Sequence, residues 1–257
     1  MALEVLPIKA VRKQGKFDLY VELKKLVRKN GILLKEGDVI VISSKYISNS
    51  QGRIVNHDSI KPSKKANELT KKFSINKELS EVIIRESDFV FGGVTGFVIT
   101  SSDNIMAPNA GIDKSNSQDE LILYPYEPYL VAEQIKRKFF LDYSIHVGVI
   151  ITDSRLMPAR VGTTGVAIAC SGIEPVLDRR GTKDLDGNAL KVTFQAIADN
   201  LASIANHKMG EGDETLPVAI IRDSGAKITD RKIDPKEMTV SHDQCVYVRG
   251  LKNWNHI

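Results

Sequence analysis

The apolar run Val147-Gly148-Val149-Ile150-Ile151 stops on Thr152-Asp153-Ser154. A buried strand that ends on an acidic residue presents its carboxylate at the sheet edge where open α/β sheets bind ligands. Arg155, Arg160 and the turn-rich Gly162-Thr163-Thr164-Gly165 follow, a group suited to holding phosphate. A helical stretch then leads into a second acidic loop, Met209-Gly210-Glu211-Gly212-Asp213-Glu214. Carboxylates, guanidinium groups and glycines in this order read as a site for divalent metal and phosphate. A planar guanidinium grips phosphate or carboxylate bidentately, so Arg155 and Arg160 are candidate clamps; a structural ion pair is the equal alternative for each.

Two further groups carry the same kind of side chain. Val39-Ile40-Val41-Ile42 reads as a buried strand ending on Ser43-Ser44-Lys45, whose hydroxyls and cation suit phosphate as well as a solvated strand end. Asn109-Ala110-Gly111-Ile112-Asp113-Lys114-Ser115-Asn116 is a loop in which Asp113 suits a hard metal and Asn116 a base or phosphate. Taken alone, that loop is equally an Asx-rich turn.

The elements that must position these residues follow from periodicity. Leu3 to Ile8 reads as a strand, about Asp18 to Arg28 as an amphipathic helix, and Ser59 to Glu86 as helical with Asn76 as an internal cap. Phe89 to Thr100 reads as a glycine-interrupted strand, Leu121 to Tyr124 as a strand, and Pro128 opens a helix through Phe139. Ala167 to Cys170 reads as a strand or packed turn, Thr193 to His207 as a helix, Pro217 to Ile221 as a buried strand and Cys245 to Val248 as a last strand.

Composition excludes several classes. The 257 residues suffice for a large core, and 42% apolar with 26% charged residues is the balance of an ordinary globular protein. A net charge of +4 suits an anionic ligand but, without a basic stripe bearing interleaved aromatics, not nucleic acid. Two cysteines without paired spacing, Cys170 and Cys245, indicate neither a disulfide framework nor zinc. No signal-peptide pattern and no membrane-length apolar run is read, so a cytoplasmic protein without a membrane partner is expected. Neither a P-loop nor a dinucleotide fingerprint occurs.

Several motifs now fall into one order: Ser44 through Gly52-Arg53, Asn109 to Asp113 with Ser115-Asn116, and Gly148 to Asp153. Gly165-x-Ala167-Ile168, Asp184-Leu185-x-Gly187, Thr193, Ala198-Asp199 and Met209-Gly210-Glu211 continue it. From Leu6 to about Asp223 the chain resembles the coenzyme F420-0:γ-glutamyl ligase family. The resemblance implies an α+β fold of mixed sheets with packed helices, in two intimate subdomains, as one unit over 1–257 with a core of about 3–223. It implies a GTP-dependent enzyme that joins the amine of L-glutamate to a carboxylate of a phospholactyl-deazaflavin through an acyl-phosphate, releasing GDP and phosphate. It further implies two Mg²⁺ or Mn²⁺ ions, K⁺ and a homodimer.

Carried over by motif, Asp113, Asp153, Ser154 and Glu211 would be metal ligands. Ser44, Lys45, Asn116 and the loop Met209, Gly210, Glu211, Gly212, Asp213, Glu214, Thr215 and Leu216 would hold GTP, with a weaker match at Val11 to Lys13. Hard cations prefer such oxygen ligands. The chain departs from the family pattern in two places. Ser48-Asn49-Ser50-Gln51-Gly52-Arg53 stands where many members have Ser-Lys-Ala-Glu-Gly-Arg, and Asp153-Ser154-Arg155-Leu156-Met157 where they read Asp-Thr-x-Gly-Arg. The second version also resembles relatives that extend folates, which makes a folate or pterin-like acceptor the second reading. A GTP-binding regulatory protein without turnover is the third.

Overall fold

The computed structural model describes residues 2–13, 15–114 and 120–252. In chain order the first elements are β1 (Glu4–Ile8), α1 (Leu19–Lys29), β2 (Val39–Ser43), α2 (Ser44–Gln51), β3 (Ile54–Asn56), α3 (Lys64–Phe73) and α4 (Lys77–Glu86). Next come β4 (Phe89–Val94), β5 (Phe97–Ser102), β6 (Ile105–Pro108), β7 (Glu120–Ile122), α5 (Pro128–Tyr143), β8 (Gly148–Leu156) and β9 (Thr163–Ser171). The chain continues through β10 (Val176–Asp178), β11 (Phe194–Ala196), α6 (Ile197–Met209), β12 (Val218–Arg222) and α7 (Val246–Lys252). This is an α+β fold with several separate sheets.

The chain divides into two compact units, Met1–Ile60 with Gly111–Ile233, and Lys61–Ala110 with Asp234–Ile257. The first is built on a five-stranded sheet in the order β1-β12-β2-β8-β9. Only β2 and β8 run parallel, from Val39 opposite Gly148 to Ser43 opposite Thr152. The central strands are continuous apolar runs, and Val39 to Ile42, Val149 to Ile151 and Val218 to Ile221 are all buried. Strands covered on both faces have that composition. α5 and α6 both pack on β8 and β9, and α6 also reaches β12 and β1. Asp18 caps α1 by accepting from the Val21 amide at 3.0 Å, which satisfies one of the orphan donors of a helix start.

In the second unit, β4, β5 and β6 form an antiparallel sheet, tied to the α3–α4 pair where the Gly96 amide donates to the Phe73 carbonyl at 2.8 Å. Ser63 and Asn76 cap those helices, and a bulge falls between Val90 and Gly92. Phe89, Val90, Phe91, Val94 and Phe97 stay exposed.

Four expectations from the sequence change. β8 does not stop on Asp153 but runs to Leu156, because β9 continues to pair with it after β2 has ended. Three of the four residues Gly162-Thr163-Thr164-Gly165 belong to β9 rather than to a loop. Phe194–Ala196 is a strand against β10, so tertiary pairing overrides the helical period there and α6 starts at Ile197. Val246 and its neighbours form α7, with the Arg249 amide returning to the Cys245 carbonyl at 2.9 Å. A strand needs a neighbouring ladder, and without one the backbone satisfies itself locally. Among the described residues, no helix is long and apolar enough to cross a membrane.

Candidate active site

The parallel pairing of β2 and β8 brings two chain segments out at one edge of the sheet. β2 hands over to α2 at Ser44, while its partner reaches Thr152-Asp153 one residue later. Ser44 Oγ therefore donates to Asp153 Oδ1 at 2.5 Å. The next residue, Lys45, pairs with Asp113. Asp113 is itself fixed by reciprocal 2.9 Å backbone hydrogen bonds with Ile122. Ser44, Lys45, Asp113 and Asp153 are thus one cluster, assembled from segments more than 100 residues apart in the case of Ser44 and Asp153.

Arg155 joins this cluster from the inside. Successive side chains of a strand alternate, so Asp153 and Arg155 share one face of β8 and Ser154 takes the other. Nη1 of Arg155 pairs with Oδ2 of Asp153. Its guanidinium carbon stands 5.8 Å from the Tyr124 ring centroid. The Gln51-Gly52-Arg53 segment braces that wall: Arg53 Nε donates to the Tyr124 carbonyl at 3.1 Å, and Gln51 exchanges two hydrogen bonds with the Tyr126 backbone. Arg160 is elsewhere, exposed in the turn between β8 and β9.

On the other face of β8 a second cluster forms around Glu211. Its carboxylate accepts from Ser154 Oγ at 2.7 and 2.9 Å, from Thr163 Oγ1 at 3.1 Å and from Asn206 Nδ2 at 2.8 Å. Gly165 lets α6 come this close. A Cβ at that position would lie 2.6 Å from the Ala202 carbonyl oxygen, within the body of the helix that carries Asn206. The sequence alone does not mark Asn206 and Thr163 as partners of Glu211: Thr163 falls in the group suited to phosphate, and the one signal for Asn206 is its place a turn before Met209.

The loop after α6 is folded on itself. Met209 is buried as the last helical residue, and Gly210 leaves the helix at φ +79°. The Gly212 amide donates to Glu214 Oε2 at 2.8 Å. Gly212, Asp213, Glu214 and Thr215 are exposed, Leu216 is half-buried, and the Thr215 carbonyl accepts from the Ala10 amide at 2.9 Å. This tie sets the loop beside Val11, the start of the weaker nucleotide match. Asn116 lies outside the described residues.

The sequence-based set Asp113, Asp153, Ser154 and Glu211 is therefore divided, with Asp113 and Asp153 in one cluster and Ser154 and Glu211 in the other. Among the described residues, no three His, Cys, Asp or Glu side chains converge as a ready cation cage. Asp199, in the first turn of α6, serves structure: it accepts from the Ala167 amide at 2.9 Å. Burial lifts its carboxyl above the ordinary aspartate value, against the pull of that hydrogen bond.

The α+β fold thus gathers carboxylates, hydroxyls and a lysine at one edge of its main sheet. The profile described as F420-0:Gamma-glutamyl ligase matches residues 8–223. The coenzyme F420:L-glutamate ligase of Methanocaldococcus jannaschii is 40% identical over 212 residues, 80% of this chain and 85% of that protein. The protein of the same name from Archaeoglobus fulgidus is 34% identical over 225 residues, covering 86% and 88%. That of Methanopyrus kandleri is 38% identical over 191 residues, covering 74% and 76%. This chain belongs to the F420-0:gamma-glutamyl ligase family, and is a ligase that forms an amide bond.

Proposed function

We propose that this ligase adds L-glutamate through a γ-linkage to coenzyme F420-0, a phospholactyl-deazaflavin, at the expense of GTP. The observation that carries this reading is the joining of Ser44 and Lys45 to Asp153 and Asp113, within a chain so similar to named F420:L-glutamate ligases. A carboxylate does not form an amide at neutral pH without activation. In the proposed reaction an acceptor carboxylate oxygen attacks the γ-phosphorus and GDP leaves. The neutral amine of glutamate then attacks the acyl carbon, phosphate departs with its bridging oxygen, and the amine loses a proton to solvent or to that phosphate.

Ser44, Lys45 and the Met209–Leu216 loop are suited to hold the nucleotide, with Asn116 as a further candidate. Lys45 supplies a point charge for phosphate oxygens, and the loop offers backbone amides in a glycine-bearing turn. The donors available to a cation are oxygens: the carboxylates of Asp113, Asp153 and Glu211 and the hydroxyl of Ser154. That donor type fits Mg²⁺ or Mn²⁺, ions commonly held by one or two carboxylates together with substrate phosphates. The division into two clusters fits two such ions, one at Asp113 and Asp153 and one at Ser154 and Glu211. When bound, they would neutralise charge on the transferred phosphoryl group. A K⁺ requirement and a cytoplasmic setting belong to the same reading. A homodimer is supported by the exposed phenylalanines of β4 and β5, since apolar patches of that kind commonly mark interaction surfaces.

A folate or pterin-like acceptor is the second reading. It is favoured by the hairpin of β8 and β9, whose turn carries exposed Met157, Arg160 and Val161 in place of the usual family motif. The test is GDP release measured with glutamate, divalent metal and acceptor omitted one at a time. Release that requires all three supports the ligase. GTP binding without acceptor-dependent release favours the regulatory reading.

A further inference from the structure

The side chain of Arg155 is only 5% exposed, against 20% for its partner Asp153. Of its three guanidinium nitrogens, Nη1 faces Asp153, whereas Nε and Nη2 are buried without a hydrogen-bond partner. A guanidinium in that position bears most of the cost of leaving water and recovers little of it in hydrogen bonds. Its surroundings nevertheless fit it closely. The Tyr124 ring lies against it, and Gly111, at φ +66°, backs it on another side. A Cβ on Gly111 would come 3.2 Å from Nη1 and 3.3 Å from Nη2.

Both carboxylate oxygens of Asp153 are in consequence engaged. Oδ1 accepts from Ser44 and Oδ2 faces Arg155. A divalent cation approaching this carboxylate meets a positive charge already seated on it.

We propose that Arg155 is a resident counter-cation of Asp153, and that a divalent cation binds Asp153 only in exchange for the guanidinium. The inference rests on the reading of Asp153 as a cation ligand. Arg155 is then a positioning residue that keeps Asp153 oriented and charge-balanced in the metal-free protein. The exchange releases a guanidinium with donors to spare, so an anionic ligand oxygen that accepts from it offsets the loss of the ion pair. Cation and anionic substrate thereby favour each other's binding through one side chain, as linkage requires.

The test is Mn²⁺ binding to the full-length protein without nucleotide, read from the electron paramagnetic resonance of free Mn²⁺. Wild type is compared with Arg155→Met, Arg155→Lys and Asp153→Asn. Arg155→Met is expected to bind Mn²⁺ roughly tenfold more tightly or better, about 1.4 kcal/mol. Arg155→Lys, which keeps the charge without the fork, is expected to fall between it and wild type, and Asp153→Asn to lose the ion held at Asp153 while keeping any held at Ser154 and Glu211. Excess Mn²⁺ should also raise the Tm of Arg155→Met more than that of wild type. If Asp153→Asn loses that ion while Arg155→Met binds no more tightly than wild type, the exchange is overturned and the cation site stands. If neither wild type nor Arg155→Met binds Mn²⁺, the site reading and the inference both fall. Should Arg155→Met not fold, unchanged or weaker binding by Arg155→Lys overturns the exchange.

Discussion

The Ser44 hydroxyl reaches Asp153 Oδ1 at 2.5 Å across the single parallel strand pair of the main sheet. The contact exists because β2 turns into α2 where β8 leaves its partner, so a helix start and an acidic strand residue meet at one edge. Ser44 is buried, and its hydroxyl fixes how the Asp153 carboxylate is turned. Ser44→Ala is expected to cost about 1 kcal/mol of stability for the lost hydrogen bond. Its effect on turnover is expected to be larger, roughly 10–100-fold, as for other residues that orient a functional carboxylate. Steady-state GDP release at saturating GTP, alongside thermal unfolding, checks both.

Asp153→Asn is expected to abolish turnover and also to destabilise the fold. It leaves the Arg155 guanidinium buried without a counter-ion, a loss on the order of 3 kcal/mol. Asp113→Asn is expected to cost ~1 kcal/mol or less, because Lys45 and Asp113 are about one-third exposed, at 31% and 34%. Denaturant unfolding of the two variants gives the comparison. Equal losses would mean that burial of Arg155 does not govern the stability of this cluster.

The carboxylate of Glu211 depends on neutral donors from three elements. Removing one, by Asn206→Ala or Thr163→Val, is expected to lower activity roughly 10–100-fold with little change in Tm. Both contacts are exposed, so their loss opens no cavity. Wild-type turnover in both variants would place Glu211 outside the working site.

Asp199 gives a pH signature. Its folded-state carboxyl sits above the ordinary value of 3.8 because burial disfavours the charge. The group therefore lowers stability above its folded pKa, and this penalty disappears as pH falls toward 3.8 and the unfolded chain also protonates. Asp199→Asn keeps an acceptor for the Ala167 amide and carries no charge. The variant is expected to melt at the same or a higher temperature than wild type at neutral pH, with the advantage narrowing toward about pH 4. Melting curves across that range test it, and a variant less stable at neutral pH by several degrees would contradict the account.

Much of this arrangement was legible in the chain. The apolar runs of β2, β8 and β12 announce strands buried on both faces, and Asp18 and Asn76 announce helix starts, because these are local signals. The motif resemblance, not periodicity, points to Ser44, Lys45, Asp113 and Asp153 as site residues, and the contacts of Lys45 with Asp113 and of Ser44 with Asp153 emerge only in the fold. Two features depended on tertiary pairing and were not legible. β9 prolongs β8 past Asp153, so that strand alternation carries Ser154 to the other face, and β10 draws Phe194–Ala196 out of a helical pattern. For Arg155 the sequence left clamp and ion pair equal. Its seat is set by Tyr124 and Gly111, and Gly111 is 44 residues distant along the chain.

The most direct test of the central claim is mass spectrometry of the product formed from GTP, Mn²⁺ and L-glutamate with two acceptors offered separately. One acceptor is the phospholactyl-deazaflavin and the other a dihydrofolate. One or more glutamyl mass increments are expected on the deazaflavin, absent with Asp153→Asn. Increments on the folate alone, or none on either acceptor, would contradict it.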